Sequence, residues 1–221
     1  MNSDRRTSRL LGAAFLLQAV TSLGSAMILA LALMVPGDIS ETMVRIANQP
    51  WLMRADILGE TITSMGVIFL AAMLFVTLRR DNETMALVAL GLYILETTLG
   101  AGRIEAASSL LRISQEYVAT GHPAHLQTMG KLASDSMDSG LNLLMLPFCA
   151  GAILFYYLLY KSGLVPRALS LWGLIAVVVA LVGTLLTLSG YKVPFLVYLP
   201  YAPFEFTVGV WILVKGVKES V

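Results

Sequence analysis

The chain has 221 residues, a formal net charge of +1, 57% hydrophobic residues and only 13% charged ones. Soluble domains carry about 25% charged residues, so this chain cannot cover a soluble surface, and its neutral balance gives no case for nucleic-acid binding. The apolar residues fall instead into runs long enough to cross roughly 30 Å of hydrocarbon.

The fold class expected is an all-α polytopic membrane helical bundle, a single integral domain over 1–221 with six transmembrane helices. The first span covers 10–35. Its apolar run is too long for a signal-peptide h-region, and no small-x-small site follows it. "PGDISETMVRIANQP" (36–50) then predicts a short helix over Glu41–Ala47, started by Ser40, and Pro50 suits the first turn of the next helix. The second span covers 52–78 and the third 85–110, joined by the short "RRDNE". Segment 111–136 also reads as helical, broken at "TGHP", with Pro123 starting a helix that returns into the fourth span, 137–160. Together with 36–50 it predicts a small helical cap on the outer face. Cys149 is the lone cysteine and lies in the fourth span, so no disulfide forms within the chain and it reads as a buried thiol.

In "KSGLVPR", Gly163 ends one helix and Pro166 opens the next. The fifth span covers 168–190 and the sixth 194–214. Pro200 and Pro203 cannot donate to the carbonyls of Leu196 and Leu199, which reads either as a broken sixth helix of the kind that lines ion sites in transporters or as a kink satisfied by a neighbouring Ser, Thr or water. The positive-inside rule sets the orientation. With both termini cytoplasmic, Arg5, Arg6, Arg9, Arg79, Arg80, Lys161, Arg167, Lys215 and Lys218 fall on the inner side, nine of the fifteen basic residues. The expected location is the bacterial inner membrane.

Depth ranks the charges. Glu96 lies about 18 Å beyond Thr84 and Glu205 about 15 Å before Lys215, at 1.5 Å per residue. By the same count Glu60 lies about 28 Å before Arg79, near the outer headgroups. Arg54, Asp56, Arg103, Glu105, Asp135 and Asp138 count as equally shallow or shallower. Residues 96, 100, 103 and 107 share one helical face, and Gly100 leaves room between Glu96 and Arg103. The candidate ligand- or proton-binding residues are therefore Glu96, Arg103, Glu205, Glu60 and Asp138. Glu96 and Glu205 are read as proton or cation acceptors, and Arg103 as a guide for an anionic group; the other reading of Glu96 is a protonated or hydrogen-bonded carboxyl that holds helices together.

Secondary candidates are Arg54, Asp56, Asn142, Tyr198 and Tyr201. Asp56 and Glu60, at i and i+4, read either as a shared proton or cation site or as a polar helix end. Tyr198 and Tyr201 read as interfacial belt or as cavity-lining donors. His122 and His125 in "HPAH" are weak metal candidates that lack a third ligand, so no metal and no cofactor is expected. No hydrolase, zincin, nucleotide or dinucleotide motif is present. Catalytic residues therefore stay unassigned.

"YKSGLVPRALSLWGLIAVVVALVGTLL" (160–186) and "PFEFTVGVWILVKGVK" (203–218) resemble a bacterial family of small multispanning proteins catalogued as domain of unknown function 4386. "RRTSRLLGAAFLL" and "LMRADIL" fit it too. The resemblance implies six spans, an inner-membrane location and a Glu before the Trp-containing ending, which Glu205 matches. It implies no activity. The reading that follows is a membrane protein that binds a small molecule, lipid or ion in a polar pocket open to the outer leaflet. Membrane lipids are its expected partners, proton-coupled transport is one form of the role, and the oligomeric state stays open. The alternatives are a helper or regulator without a ligand, and an intramembrane enzyme acting on a lipid or isoprenoid.

Overall fold

The computed structural model describes residues 2–216, so Lys218, counted above among the inner bases, lies outside the described residues. Among the described residues the secondary structure is helical throughout, with no strand. Helix α1 (Asn2–Met27) continues as one stretch of π-helix, Ile28–Leu33, closed by Met34 N–H on the Leu29 carbonyl at 2.8 Å. Then come α2 (Ile39–Asn48), α3 (Pro50–Leu78), α4 (Glu83–Ala119), α5 (Ala124–Ser162) and α6 (Arg167–Leu188). A 3-10 turn, Phe195–Val197, precedes α7 (Tyr201–Lys215). The protein is a multi-pass helical bundle of membrane type. Arg9–Leu33, Pro50–Leu78, Glu83–Ala119, Ala124–Ser162 and Arg167–Leu188 are each long and apolar enough to cross a membrane.

The sixth predicted span is divided. Pro200 caps α7 and Pro203 falls in its first turn, where an N–H would have no helical partner anyway. The prolines therefore start a 15-residue helix rather than kink a longer one. The Leu196 carbonyl, expected to be left open, accepts the Leu199 N–H at 3.3 Å. A second difference lies in α2. Its cap is Asp38, not Ser40, because the Asp38 carboxylate accepts the Glu41 N–H at 2.9 Å. Pro50 opens α3 and Gly163, at φ 66°, ends α5 before Pro166 caps α6, as the sequence predicts.

The chain divides into two compact units. Unit 1 comprises the chain up to Ala19, Met65–Thr97, and the chain from Asn142 onward. Unit 2 comprises Val20–Ser64 and Thr98–Leu141. Unit 1 has its own core, with Leu11, Phe15, Leu74, Tyr93, Phe155 and Phe204 at 1% exposure or less. The core of unit 2 is built from Leu33, Met43, Ile46, Met53 and Leu110, each fully buried. In unit 2, α2 is tied down by Thr42, whose hydroxyl donates to the Asp38 carbonyl and accepts the Val35 N–H, both at 2.9 Å.

Outward faces are as apolar as the core. On α6, Leu171, Ile175, Val178, Val182 and Leu185 are exposed at helical spacing, whereas Gly173, Ala176, Ala180 and Gly183 are buried. Large apolar residues outward and small ones at helix contacts is the arrangement lipid favours.

Candidate functional site

In unit 1 the start of α7 at Tyr201 puts Tyr201 and Glu205 at i and i+4, on one face. Close approach of α1 brings a third group to them. A Cβ at Gly12 would stand 2.5 Å from the Leu213 backbone nitrogen, and one at Gly209 would stand 3.0 Å from Leu16, so both contacts require glycine-sized residues. Gln18 of α1 then donates its Nε2–H to Glu205 Oε1 at 3.0 Å. The Tyr201 hydroxyl donates to the same oxygen at 2.9 Å, and the Tyr156 and Tyr201 hydroxyls are 2.7 Å apart. Phe148 meets the Tyr201 ring edge-on at 5.2 Å, and Tyr156 meets Phe204 in the same way at 4.9 Å. Glu205 is thus 5% exposed, inside an aromatic wall.

Glu96 belongs to the same unit and is 9% exposed. Its Oε2 has no hydrogen-bond partner among the described residues. Glu205 is the charge that acts on it, and Tyr93 and Cys149 stand within electrostatic reach. Among the described residues neither carboxylate takes part in an ion pair. Two like charges in a water-poor cluster repel, and a proton or small cation relieves the repulsion.

Unit 2 holds a different set. Arg103 Nη1 pairs with Glu60 Oε1 at 2.9 Å, and Arg103 is 8% exposed. Gly140 admits the α4 backbone here, since a Cβ on it would lie 3.1 Å from Arg103 Cβ. Asp56 is 0% exposed. The Ser25 hydroxyl lies against it, donating to its main-chain carbonyl at 3.3 Å and acting as a hydrogen-bonding group on its side chain. Glu60 and Arg103 are the charged side chains that act on Asp56. Counting helical rise placed Asp56 among the shallow acids at a polar helix end; the structure buries it completely.

The five leading candidates therefore fall into two groups, Glu96 and Glu205 in unit 1, and Arg103, Glu60 and Asp138 in unit 2. Asp138 is exposed, with Arg103, Asp135 and Lys131 acting on it. Asn142 is half-buried, and Arg54 is exposed. Tyr198 packs against α6, its hydroxyl 3.3 Å from where a Gly183 Cβ would stand. His122 and His125 are exposed at the α4–α5 turn, His122 in a left-handed conformation at φ 63° with its ring edge-on to Tyr117. Among the described residues no three of His, Cys, Asp and Glu gather as metal ligands would. Glu105 is exposed and lines an open groove of about 350 Å³ with Gly102, Ser109, Met129 and Ser136.

Sequence reasoning passed over Gln18, Tyr156 and Pro147. Gln18 carried a readable signal, a lone amide inside the apolar run of α1. Tyr156 sits in "FYYLLY" and is indistinguishable there from interfacial tyrosines. Pro147, buried inside α5, removes the donor for the Leu143 carbonyl and is the one proline within a helix interior among the described residues.

The chain belongs to the family described as Domain of unknown function (DUF4386), whose model matches residues 10–216. Neither a curated protein nor a solved structure matches it.

Proposed function

We propose that this DUF4386 protein is a single integral domain of the bacterial cytoplasmic membrane, with both termini inside, that binds a proton or small monovalent cation at Glu96 and Glu205. The observation that carries the reading is the unit 1 cluster. It holds two buried carboxylates, one with an oxygen that has no partner among the described residues, and neither carboxylate is in an ion pair there. Gln18 and Tyr201 fix the orientation of Glu205, and Tyr156 fixes Tyr201. Glu96 is the less constrained acid, and therefore the one free to reorient toward an arriving cation. Coupled transport is the natural use of such a site, because binding there compensates charge that lipid cannot solvate.

A cation that binds the folded protein and not the unfolded chain stabilises it by mass action, by about 2.7 kcal/mol at one hundred times its dissociation constant. The test is thermal unfolding of the purified protein in lipid nanodiscs, at acid and alkaline pH, with sodium, potassium or choline chloride. The wild type is expected to gain stability on acidification, or with sodium or potassium over choline at alkaline pH. Glu96→Gln and Glu205→Gln should each abolish that gain while keeping helicity. If the wild type shows no such gain, or both folded variants respond as it does, the reading is wrong.

A further inference from the structure

Three tyrosine hydroxyls form a row beside the two acids of unit 1, and the ion site proposed there does not use it. Tyr201 donates to Glu205 Oε1 at 2.9 Å, and the Tyr156 and Tyr201 oxygens are 2.7 Å apart. A phenol has a single hydrogen. With that of Tyr201 committed to Glu205, the Tyr156 hydroxyl must be the donor between the two tyrosines. The Tyr156 oxygen then accepts from Tyr93, its other hydroxyl partner. The Tyr93 oxygen is left as the acceptor at the far end of the row.

Packing holds the row in place. A Cβ at Gly151 of α5 would stand 2.7 Å from the Tyr93 ring and 3.2 Å from the Ala89 carbonyl oxygen, so α4 and α5 touch there. Phe155 meets Tyr93 at 5.4 Å, and Phe148 reaches Tyr93 at 6.0 Å and Tyr201 at 5.2 Å. Tyr93 and Tyr156 are each 1% exposed. Tyr93 lies one helical turn before Glu96 on α4, so the two share a face, and a helical side chain leans over the turn before it. Glu96 Oε2, buried and without a partner among the described residues, therefore stands on the side of α4 where the row ends.

Resting on the reading of these two acids as an ion site, we infer that the ion is a proton and that Tyr93, Tyr156 and Tyr201 relay it between Glu96 and Glu205. Protonated Glu96 turns to the Tyr93 oxygen and gives up its hydrogen. Each hydroxyl passes its own hydrogen to the next, and that of Tyr201 moves to Glu205 Oε1. One O–H bond forms for each that breaks. Glu96 ends as a carboxylate, Glu205 as a carboxylic acid and every tyrosine as a neutral phenol, so no other reactant is consumed.

The same bonds disfavour a metal cation. A metal ion binds through oxygens that turn lone pairs toward it, whereas Gln18 and Tyr201 point hydrogens at Glu205 Oε1. Glu205 faces Gln18 from α1, Tyr156 from α5, and Tyr93 and Glu96 from α4. Cys149 of α5 stands within electrostatic reach of Glu96. The unit 1 stretch of α3, and α6 beyond Arg167, contain no charged residue.

The test is infrared difference spectroscopy of the full chain in nanodiscs, with protons released by light from a caged acid. Glu96→Gln and Glu205→Gln assign the two carboxyl bands. In the wild type both bands are expected to respond to pH, with the same midpoints in sodium, potassium and choline chloride. Tyr156→Phe and Tyr93→Phe keep the rings and break the row; helicity checks that they fold, and one folded variant suffices. Each should slow protonation of Glu205 about 100-fold, the lower end of what one positioned proton donor contributes, while the Glu96 band rises at the wild-type rate. A tyrosine that only packs would change stability and leave both rates as they were. Protonation of Glu205 at the wild-type rate in either folded variant overturns the relay and leaves the ion site standing. Midpoints that shift with sodium or potassium overturn the proton as the ion, again without touching the site. Acids that respond to neither pH nor cation overturn the ion site, and the relay with it.

Discussion

Tyr201 holds the unit 1 cluster together because its hydroxyl serves two neighbours at once. It donates to Glu205 Oε1 and meets Tyr156 at 2.7 Å, while Gln18 supplies the second donor to the same carboxylate oxygen. Removing it should therefore cost more than removing the hydroxyl of Tyr156, whose partners are the hydroxyls of Tyr201 and Tyr93 and not a carboxylate. Losing a hydrogen bond to a charged group costs about 1.5–3 kcal/mol, and one between neutral groups about 0.5–1.5 kcal/mol. Tyr201→Phe is expected to lower the unfolding free energy by the first amount and Tyr156→Phe by the second, measured by denaturant titration in one detergent. Equal losses, or a larger loss at Tyr156, would contradict the assigned network. Residue-scale reading from sequence reached part of this cluster. Helical rise ranked Glu96 and Glu205 as the deep acids, but rise gives depth along the membrane normal and says nothing of what surrounds a side chain. Asp56 shows the limit, since it counts as shallow and is fully buried. Its burial depends on α1, through Ser25, and on packing that no local pattern encodes.

Helices in this chain meet through small residues, and glycines mark where backbones touch. At Gly12 the atoms a Cβ would strike are backbone, the Leu213 nitrogen at 2.5 Å and the Gly209 carbonyl oxygen at 2.9 Å. Backbone cannot rotate away, so Gly12→Ala must push α1 from α7 and with it Gln18 from Glu205. Overpacking of this kind costs about 1–3 kcal/mol. Gly91 on α4 meets nothing within 4 Å of the same construction. There the added methyl removes chain entropy without a clash, and Gly91→Ala should be neutral or stabilising by up to about 1 kcal/mol. Unfolding midpoints of the two variants against wild type check the contrast; a stabilised Gly12→Ala would mean that α1 and α7 are not in contact there. At this scale the sequence was a good guide to helix positions, because apolar run length and Pro/Gly punctuation are local signals. It read the sixth span as broken at its prolines, and the span is divided there, a 3-10 turn followed by the 15-residue α7. The prolines were read as interruptions, but Pro200 and Pro203 occupy the cap and first turn, where their missing N–H groups matter least. The cap of α2 was misplaced for a similar reason, since Asp38 and Ser40 are both good N-caps and only three-dimensional geometry chooses.

The whole molecule is organised for a lipid solvent, with large apolar side chains outward along α6 and its small residues buried. Unit 1 contains the α3–α4 and α5–α6 connections, and unit 2 contains α2 and the α4–α5 turn. The proposed orientation puts the first pair of connections, with Arg79, Arg80, Lys161 and Arg167, on the cytoplasmic side. Cys149 makes this testable, because the sole cysteine is 0% exposed and should give little background with maleimides. Glu83 begins α4 and His125 lies in the first turn of α5, both exposed. In intact spheroplasts a membrane-impermeant maleimide should label His125→Cys and leave Glu83→Cys unreacted until the cells are lysed. The opposite pattern would invert the topology and move every assigned inner charge to the outer face. Labelling of both positions before lysis would be more damaging, because α4 would then fail to cross the membrane, despite 37 residues that extend about 55 Å at helical rise.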